Sequence, residues 1–160
     1  MKTIKIGDKE YTLEFTFEAA ECKDLVQSMF NVMSGAYIVK NSVGIGDDPD
    51  ESSAASAMIG GASEMVADIP RICRIAFYAG LLEHNEMSED EAKDLMKQYM
   101  VENKISFHRL FEDMKQCMED DGFFDLSGLN DMIQKMNSAA EKQAEKVKEK
   151  APAKKSTSTK

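Results

Sequence analysis

Histidine and cysteine are the residue types here that are best suited to metal binding or nucleophilic chemistry, and both are sparse. The two histidines, His84 and His108, have no second histidine at helical ligand spacing, so no zinc-binding helix motif is present. The three cysteines, Cys22, Cys73 and Cys117, are far apart and form no CxxC pair. This spacing supports neither a zinc ribbon nor a disulfide framework. Each cysteine falls on the apolar stripe of a predicted helix, so we expect buried thiols.

The other sequence patterns that could bind a ligand or carry out catalysis are incomplete. Gly44-Ile45-Gly46 lacks the third glycine and the strand–helix frame of a phosphate-binding loop. Residues 47–51, Asp-Asp-Pro-Asp-Glu, could attract a divalent cation, although short acidic loops are usually only solvated. A calcium loop centred on Gly122 would place Cys117 and Gly128 where carboxylates are required. No serine lies in a GxSxG turn. Because none of these motifs is complete, we expect no catalytic site, no metal, no cofactor and no enzyme activity.

Charge is unevenly distributed along the chain. Residues 138–160 contain seven Lys and three Glu, which is a net +4. Because the whole chain has a net charge of -9, residues 1–137 carry -13. An acidic body disfavours general binding to nucleic acid or to anionic membranes, since phosphates attract a basic surface. The N-terminus alternates and is charged, unlike a signal peptide, so we expect a soluble, intracellular protein without a membrane span.

The elements that would position any site begin with a predicted β-hairpin over residues 3–17. Ile4 and Ile6 alternate with polar residues, and Gly7-Asp8-Lys9 supplies the turn. Because an isolated hairpin is marginal in water, its apolar face must lie on helices or on another subunit. Apolar residues then occupy every second position at Tyr11, Leu13, Phe15 and Phe17.

Apolar residues at spacings of three and four predict a bundle of about five to six helices behind the hairpin, a mainly α fold. Thr16 is the predicted cap of the first helix, which runs to about Met33. Residues 34–50 are a predicted loop, and a loop of this length could order on binding. The sequence then predicts a helix over 51–67, weakened by two glycines, and a separate helix over 69–83 that opens with a proline in its first turn.

The second half of the chain carries clear helix boundaries. Ser88 and Glu91 form a capping box, and Ser106 opens the next helix, which stops at Asp121-Gly122. Asp125 or Ser127 is the predicted start of the last helix.

Two regions follow from these boundaries. Residues 1–137 form the predicted helical domain, and residues 138–160 form a charged helical extension with a disordered tail over 151–160.

Three stretches resemble the small tail assembly chaperones of long-tailed bacteriophages, particularly siphophages of Gram-positive hosts. They are IKIGDKEYTLEFTFEAAE from Ile4, IPRICRIAFYAGLLEHNEMSEDEA from Ile69, and the DDGFFDL that ends a helix at residues 120–126. The resemblance covers residues 1–135 and is best over 5–17 and 75–91.

This resemblance implies a function and a set of partners. Such chaperones coat the long, helical, apolar tape measure protein, keep it soluble and help to recruit tail tube subunits. The resemblance also implies a homo-oligomer, a site of action in the bacterial host cytoplasm and absence from the mature virion. Many members exist in a second, longer form made by programmed frameshifting, and the lysine codons of Lys154-Lys155 could belong to a slippery stretch.

The 12 methionines among 160 residues suit adaptable apolar contacts, because methionine is flexible and polarizable. Either the methionine stripes and the hairpin face bind a partner helix, or they form the core of the single chain. Two alternative functions remain: an acidic phage inhibitor that mimics DNA, and a small virion tail adaptor, which would be richer in β-structure. The candidate partner-binding residues are Ile4, Ile6, Leu13, Phe15, Met96, Met100, Met114 and Met118.

Overall fold

The computed structural model describes residues 1–38 and 51–150. Within these residues the fold is mainly helical and begins with an antiparallel β-hairpin, as the sequence predicts. Most of the predicted loop, residues 39–50, and the predicted tail over 151–160 lie outside the described residues.

The hairpin consists of β1 (Lys2–Ile6) and β2 (Lys9–Leu13). Ile6 pairs with Lys9, which leaves a two-residue turn at Gly7-Asp8. Gly7 has φ +60, a left-handed conformation that a residue without Cβ adopts at no steric cost. The alternation holds through Phe15, which is completely buried. It fails at Phe17, which is 68% exposed because it is the first residue of a helix and no longer follows the strand period.

The predicted helix from Thr16 to Met33 is divided in two. Helix α1 (Phe17–Glu21) and helix α2 (Lys23–Met33) are separated by Cys22, whose ψ of 93 is extended. Thr16 makes no side-chain cap hydrogen bond. A straight helix would place Ala19 about 240° around the axis from Leu25. The break at Cys22 instead allows Ala19 and Leu25 both to be fully buried.

Residues 51–67 and 69–83 were expected to form two helices, but they belong to one helix, α3 (Glu51–Leu82). Pro70 lies in its interior and cannot donate a hydrogen bond to the carbonyl of residue 66. The ion pair between Asp68 and Arg71 spans this position, with Arg71 Nε 2.7 Å from Asp68 Oδ1. The helix therefore continues past Pro70 with one backbone hydrogen bond missing.

Gly61, which was expected to weaken α3, is required by packing. A Cβ at this position would lie 2.7 Å from the Cα of Ile38 and 2.9 Å from the carbonyl oxygen of Tyr37. The glycine therefore allows residues 37–38 to pass directly against α3.

The remaining helices are α4 (Glu89–Asn103), α5 (Phe107–Asp120), α6 (Phe123–Leu126) and α7 (Leu129–Lys150). The predicted capping box is confirmed, since Ser88 Oγ accepts from the Glu91 amide at 3.3 Å and Glu91 Oε2 accepts from the Ser88 amide at 2.8 Å. Ser106 also caps α5 as predicted. The last helix starts later than expected, because α6 occupies residues 123–126 and Gly128, with φ +75, turns the chain into α7.

Helix α3 is the centre of the fold and contacts α1, α2, α4, α5 and β2. Its second half carries the fully buried residues Ile72, Cys73 and Ala76, and Phe77, which is only 1% exposed. This is the central helix that the sequence predicts over residues 69–83. No helix within the described ranges combines the length and the apolar character needed to cross a bilayer.

Candidate partner-binding surface

The eight residues predicted as partner contacts occupy the interior of this fold. Met100 is half-buried, and the other seven are at most 4% exposed. The hairpin face packs on the helices, and the stripes of α4 and α5 face the same cluster. The structure therefore places these residues in the core of the single chain, which is the competing interpretation. The seven buried residues are Ile4, Ile6, Leu13, Phe15, Met96, Met114 and Met118.

The methionines divide between the interior and the surface. Met29 in α2 is fully buried, like the core methionines of α4 and α5. Met58 is 59% exposed, Met132 is 54% exposed and Met136 is 43% exposed. Apart from the N-terminal Met1, the methionines that are more than 40% exposed lie on α3 and α7.

A single apolar stripe runs along α3 with alternating spacings of four and three residues, the period of helix–helix packing. In the second half of α3 this stripe is covered. Phe77 lies 6.2 Å, between ring centroids, from Tyr99 of α4. The Cys73 thiol donates to the carbonyl oxygen of Phe107 at 3.3 Å, at the start of α5. We name this part the covered stripe: Ile69, Cys73, Ala76, Phe77 and Gly80.

Gly80 shows how closely the covered stripe is packed. A Cβ on Gly80 would lie 2.8 Å from Cζ of Phe15, whose side chain is fully buried. The carbonyl of Gly80 also accepts the Glu14 amide at 2.8 Å, which ties the hairpin to α3.

The same stripe continues into the first half of α3, where no described residue covers it. Met58 is 59% exposed, Ile59 is 70% exposed and Val66 is 63% exposed. Ala55 and Ala62, also exposed, fill the positions between them. We name this part the open stripe: Ala55, Met58, Ile59, Ala62 and Val66.

A polar network fixes the other side of this half-helix. The Tyr37 hydroxyl donates to Asp68 Oδ2 at 2.7 Å, and Arg71 donates to both carboxylate oxygens of Asp68. Hydrogen bonding from Arg71 lowers the pKa of Asp68, while burial and the bond to Asp68 raise the pKa of Tyr37 to about 12. Ala57 and Gly61 are buried on this side. The first half of α3 is thus anchored on one face and open on the other.

The described acidic side chains of this half-helix do not face the open stripe. Glu64 and Asp68 line the cavity beside Tyr37 on the anchored face, and Asp68 is paired with Arg71. Charge on α3 therefore selects no particular partner for the open stripe.

A second apolar surface lies where α7 meets α2. A groove of about 460 Å³ is lined there by Val26, Phe30, Leu129 and Met132, among others. Leu129 is 3% exposed, whereas residues 134–140 are all exposed. Up to residue 140, helix α7 therefore contacts the body mainly through its first turns.

The side chains suited to metal binding or nucleophilic chemistry make structural contacts instead. Burial raises the pKa of the Cys73 thiol to about 12 and also raises the pKa of Cys117, so neither provides a reactive thiolate near neutral pH. Cys22 is half-buried at the break between α1 and α2 and does not continue a helical stripe, contrary to expectation. His84 Nε2 lies 2.5 Å from Glu14 Oε2, next to the end of α3. Within the described residues no group of three or more His, Cys, Asp or Glu side chains could hold a metal ion.

Sequence reasoning missed the open stripe although its pattern was readable. Interpreting Pro70 as a helix start divided the stripe into two unrelated segments. Continued across Pro70, the spacing from Ala55 to Gly80 alternates four and three without interruption. That continuity was the signal for one long helix, but only the fold reveals which part of the stripe is covered.

Comparisons with known proteins add no relative. No protein-family model matches this chain, and neither the curated proteins nor the solved structures give a match.

Proposed function

We propose that this chain is a phage tail assembly chaperone, not an enzyme, which binds the tape measure protein and keeps it soluble. In this proposal it also helps to recruit tail tube subunits during tail morphogenesis. The observation that carries the proposal is the open stripe, which exposes three large apolar side chains on an acidic body. Contiguous exposed apolar surface is typical of protein-binding sites. The resemblance of residues 1–135 to tail assembly chaperones supplies the identity of the partner.

The physical requirements of such a chaperone match these features. The client is long, helical and apolar, so the chaperone must offer apolar surface while remaining soluble itself. The charge of -13 on residues 1–137 provides repulsion between coated clients. Burying a Met, Ile or Val side chain contributes about 1.5–3 kcal/mol, from which the cost of association must be subtracted. A few such anchors give reversible binding, which a factor that later leaves the tail requires.

The proposal extends to the assembly state and the place of action. The chain acts as a homo-oligomer in the host cytoplasm, alone or with a longer frameshifted form of itself, and is absent from the finished virion. The groove beside Met132, which is separate from the open stripe, offers apolar surface for contacts between copies.

Co-expression with the tape measure protein of the same phage genome tests the proposal. We expect the tape measure protein to be insoluble alone, to be soluble with this chain, and to co-purify with it. Co-expression with an unrelated acidic helical protein is the matched control for charge and expression load. Addition of the tail tube protein should then give a ternary complex.

Precipitation of the tape measure protein to the same extent with and without this chain would overturn the chaperone proposal. Binding of a host DNA-binding protein in the same extract would then favour the acidic inhibitor. Recovery of this chain in purified virions would favour the tail adaptor.

A further inference from the structure

The two halves of α3 differ in how much apolar surface they bury. We name residues 55–68 of this helix the arm. Its buried residues are Ala57 and Gly61, which are both small, and Ala57 lies outside the hydrophobic core. The second half of α3 instead buries large side chains, including Phe77 and Leu81. Because burying Ala or Gly removes little apolar surface from water, the hydrophobic effect stabilises the arm far less than the second half.

The inner face of the arm is also incompletely packed. A cavity of about 510 Å³ lies between the arm and the residues that follow α2. The residues that line it are Asn31, Ala36, Tyr37, Glu64, Ala67 and Asp68. Water therefore reaches part of the face that holds the arm to the body. Few buried apolar contacts and access of water to the backbone are the features of a segment that opens locally.

The backbone of α3 is weakest where the arm joins the second half. Pro70 lies inside the helix and has no amide, so the carbonyl of Val66 receives no hydrogen bond from the residue four positions on. Opening the arm at this boundary therefore breaks one backbone hydrogen bond fewer than opening α3 elsewhere. Gly60 and Gly61 further lower the helix propensity of the arm itself.

A polar network bridges this weak point. Asp68 belongs to the arm, and it accepts from Nε of Arg71 at 2.7 Å and from Nη2 at 2.9 Å, across Pro70. Asp68 also accepts the Tyr37 hydroxyl at 2.7 Å. Nη2 of Arg71 lies 3.4 Å from Oγ of Ser28, which is 1% exposed in α2. We name Ser28, Tyr37, Asp68 and Arg71 the latch, because together they tie the arm to the second half of α3 and to the end of α2.

We infer that the arm opens by local unfolding about Pro70 while the second half of α3 stays folded, and that the latch sets how often it opens. The inference stands on the packing of the chain and does not rest on the proposed function. It has a consequence for binding, since Met58, Ile59 and Val66 lie on the arm. A partner that contacts these residues at their helical spacing also favours the closed arm.

Amide hydrogen exchange of the full chain, followed by mass spectrometry of its peptides, tests the inference. In the wild type the arm should exchange about tenfold or more faster than residues 72–82. Asp68→Asn should speed exchange in the arm by about a further tenfold, because hydrogen bonds to a charged group are lost. Exchange in residues 72–82 should not change. Tyr37→Phe, a milder substitution, should give the same pattern with an acceleration of about threefold.

Asp94→Asn is the matched control for the latch. Asp94 pairs with Lys97 at 2.8 Å, also three residues apart within one helix, but no proline lies in α4. This variant should leave exchange in both segments within about twofold of the wild type, as expected for an exposed pair. Circular dichroism should give the same helix content for all the variants.

Three results would overturn the inference. Equal exchange in the arm and in residues 72–82 of the wild type would mean that α3 opens as one unit. Equal acceleration of both segments by Asp68→Asn would mean that the network stabilises the whole chain and is not a latch. Unchanged exchange of the arm in both Asp68→Asn and Tyr37→Phe would mean that the network does not control opening.

Discussion

The two halves of α3 have the same kind of apolar stripe and opposite environments. Phe77 in the second half is 1% exposed and contacts Tyr99, whereas Ile59 in the first half is 70% exposed. Both belong to one unbroken helix, Glu51–Leu82. The difference arises from what covers the stripe in each half: α4, α5 and the hairpin lie over it in the second, and no described residue covers it in the first.

This contrast separates two roles that a helical apolar pattern can have. In the covered half, burial of the stripe contributes to the stability of the chain itself. In the open half the same pattern contributes nothing comparable, so its large side chains remain available to a partner. The Tyr37–Asp68–Arg71 network holds the first half against residues 34–38 without covering the stripe.

Truncating one large side chain in each half should give the largest difference. Phe77→Ala should lower the free energy of unfolding by about 3–5 kcal/mol, because it leaves a cavity in the core. Ile59→Ala should change it by about 0.5 kcal/mol or less, as for other exposed positions. Urea denaturation followed by circular dichroism measures both values. A loss of more than about 2 kcal/mol for Ile59→Ala would mean that the open stripe is covered in solution.

The boundary between the halves can be altered at Pro70. Proline in a helix interior costs about 3 kcal/mol, and part of this is regained through the stiffer unfolded chain. Pro70→Ala should therefore raise the free energy of unfolding by about 1–2 kcal/mol by restoring a donor to the carbonyl of residue 66. Amide hydrogen exchange should slow mainly in residues 55–70. Unchanged exchange there would show that Pro70 does not limit the stability of the first half.

The smallest effect concerns the polar network and its pH dependence. Tyr37 has a raised pKa of about 12, so its contribution is complete below pH 10 and is lost as the pH approaches 12. Asp68 has a lowered pKa, so its contribution is present above the ordinary value of 3.8 and is lost at lower pH. The stability difference between wild type and Tyr37→Phe, measured by urea denaturation, should therefore fall as the pH approaches 12, and should shrink below pH 3.8 because a protonated Asp68 carboxyl is a weaker acceptor. A difference that is constant with pH would exclude the hydrogen bond as its cause.

Local sequence patterns predicted the parts of the fold that depend on neighbouring residues. The hairpin alternation, the Ser88–Glu91 capping box and the Ser106 cap are all present, because each is set by hydrogen bonds or side-chain direction within a few positions. The break at Cys22 was not predicted, since it depends on where the core lies relative to Ala19 and Leu25.

Seven of the eight candidate partner-binding residues are buried in the structure, so the sequence did not locate an exposed apolar surface. Apolar stripes with methionine were expected to include a partner surface, yet Met114 and Met118 are core residues and Met58 is exposed. A stripe at helical spacing has the same sequence pattern whether its cover is the rest of the chain or another protein.

By itself, the sequence determined the helical period, the hairpin alternation, the Ser88 and Ser106 caps and the acidic body, because these depend on residue type and short spacing. Only the tertiary structure decided that α3 continues through Pro70 and that its stripe is open in the first half and covered in the second. Cover depends on contacts between residues far apart in the chain, such as Cys73 with Phe107 and Gly80 with Phe15. Such contacts leave no mark at either position that can be recognised in isolation.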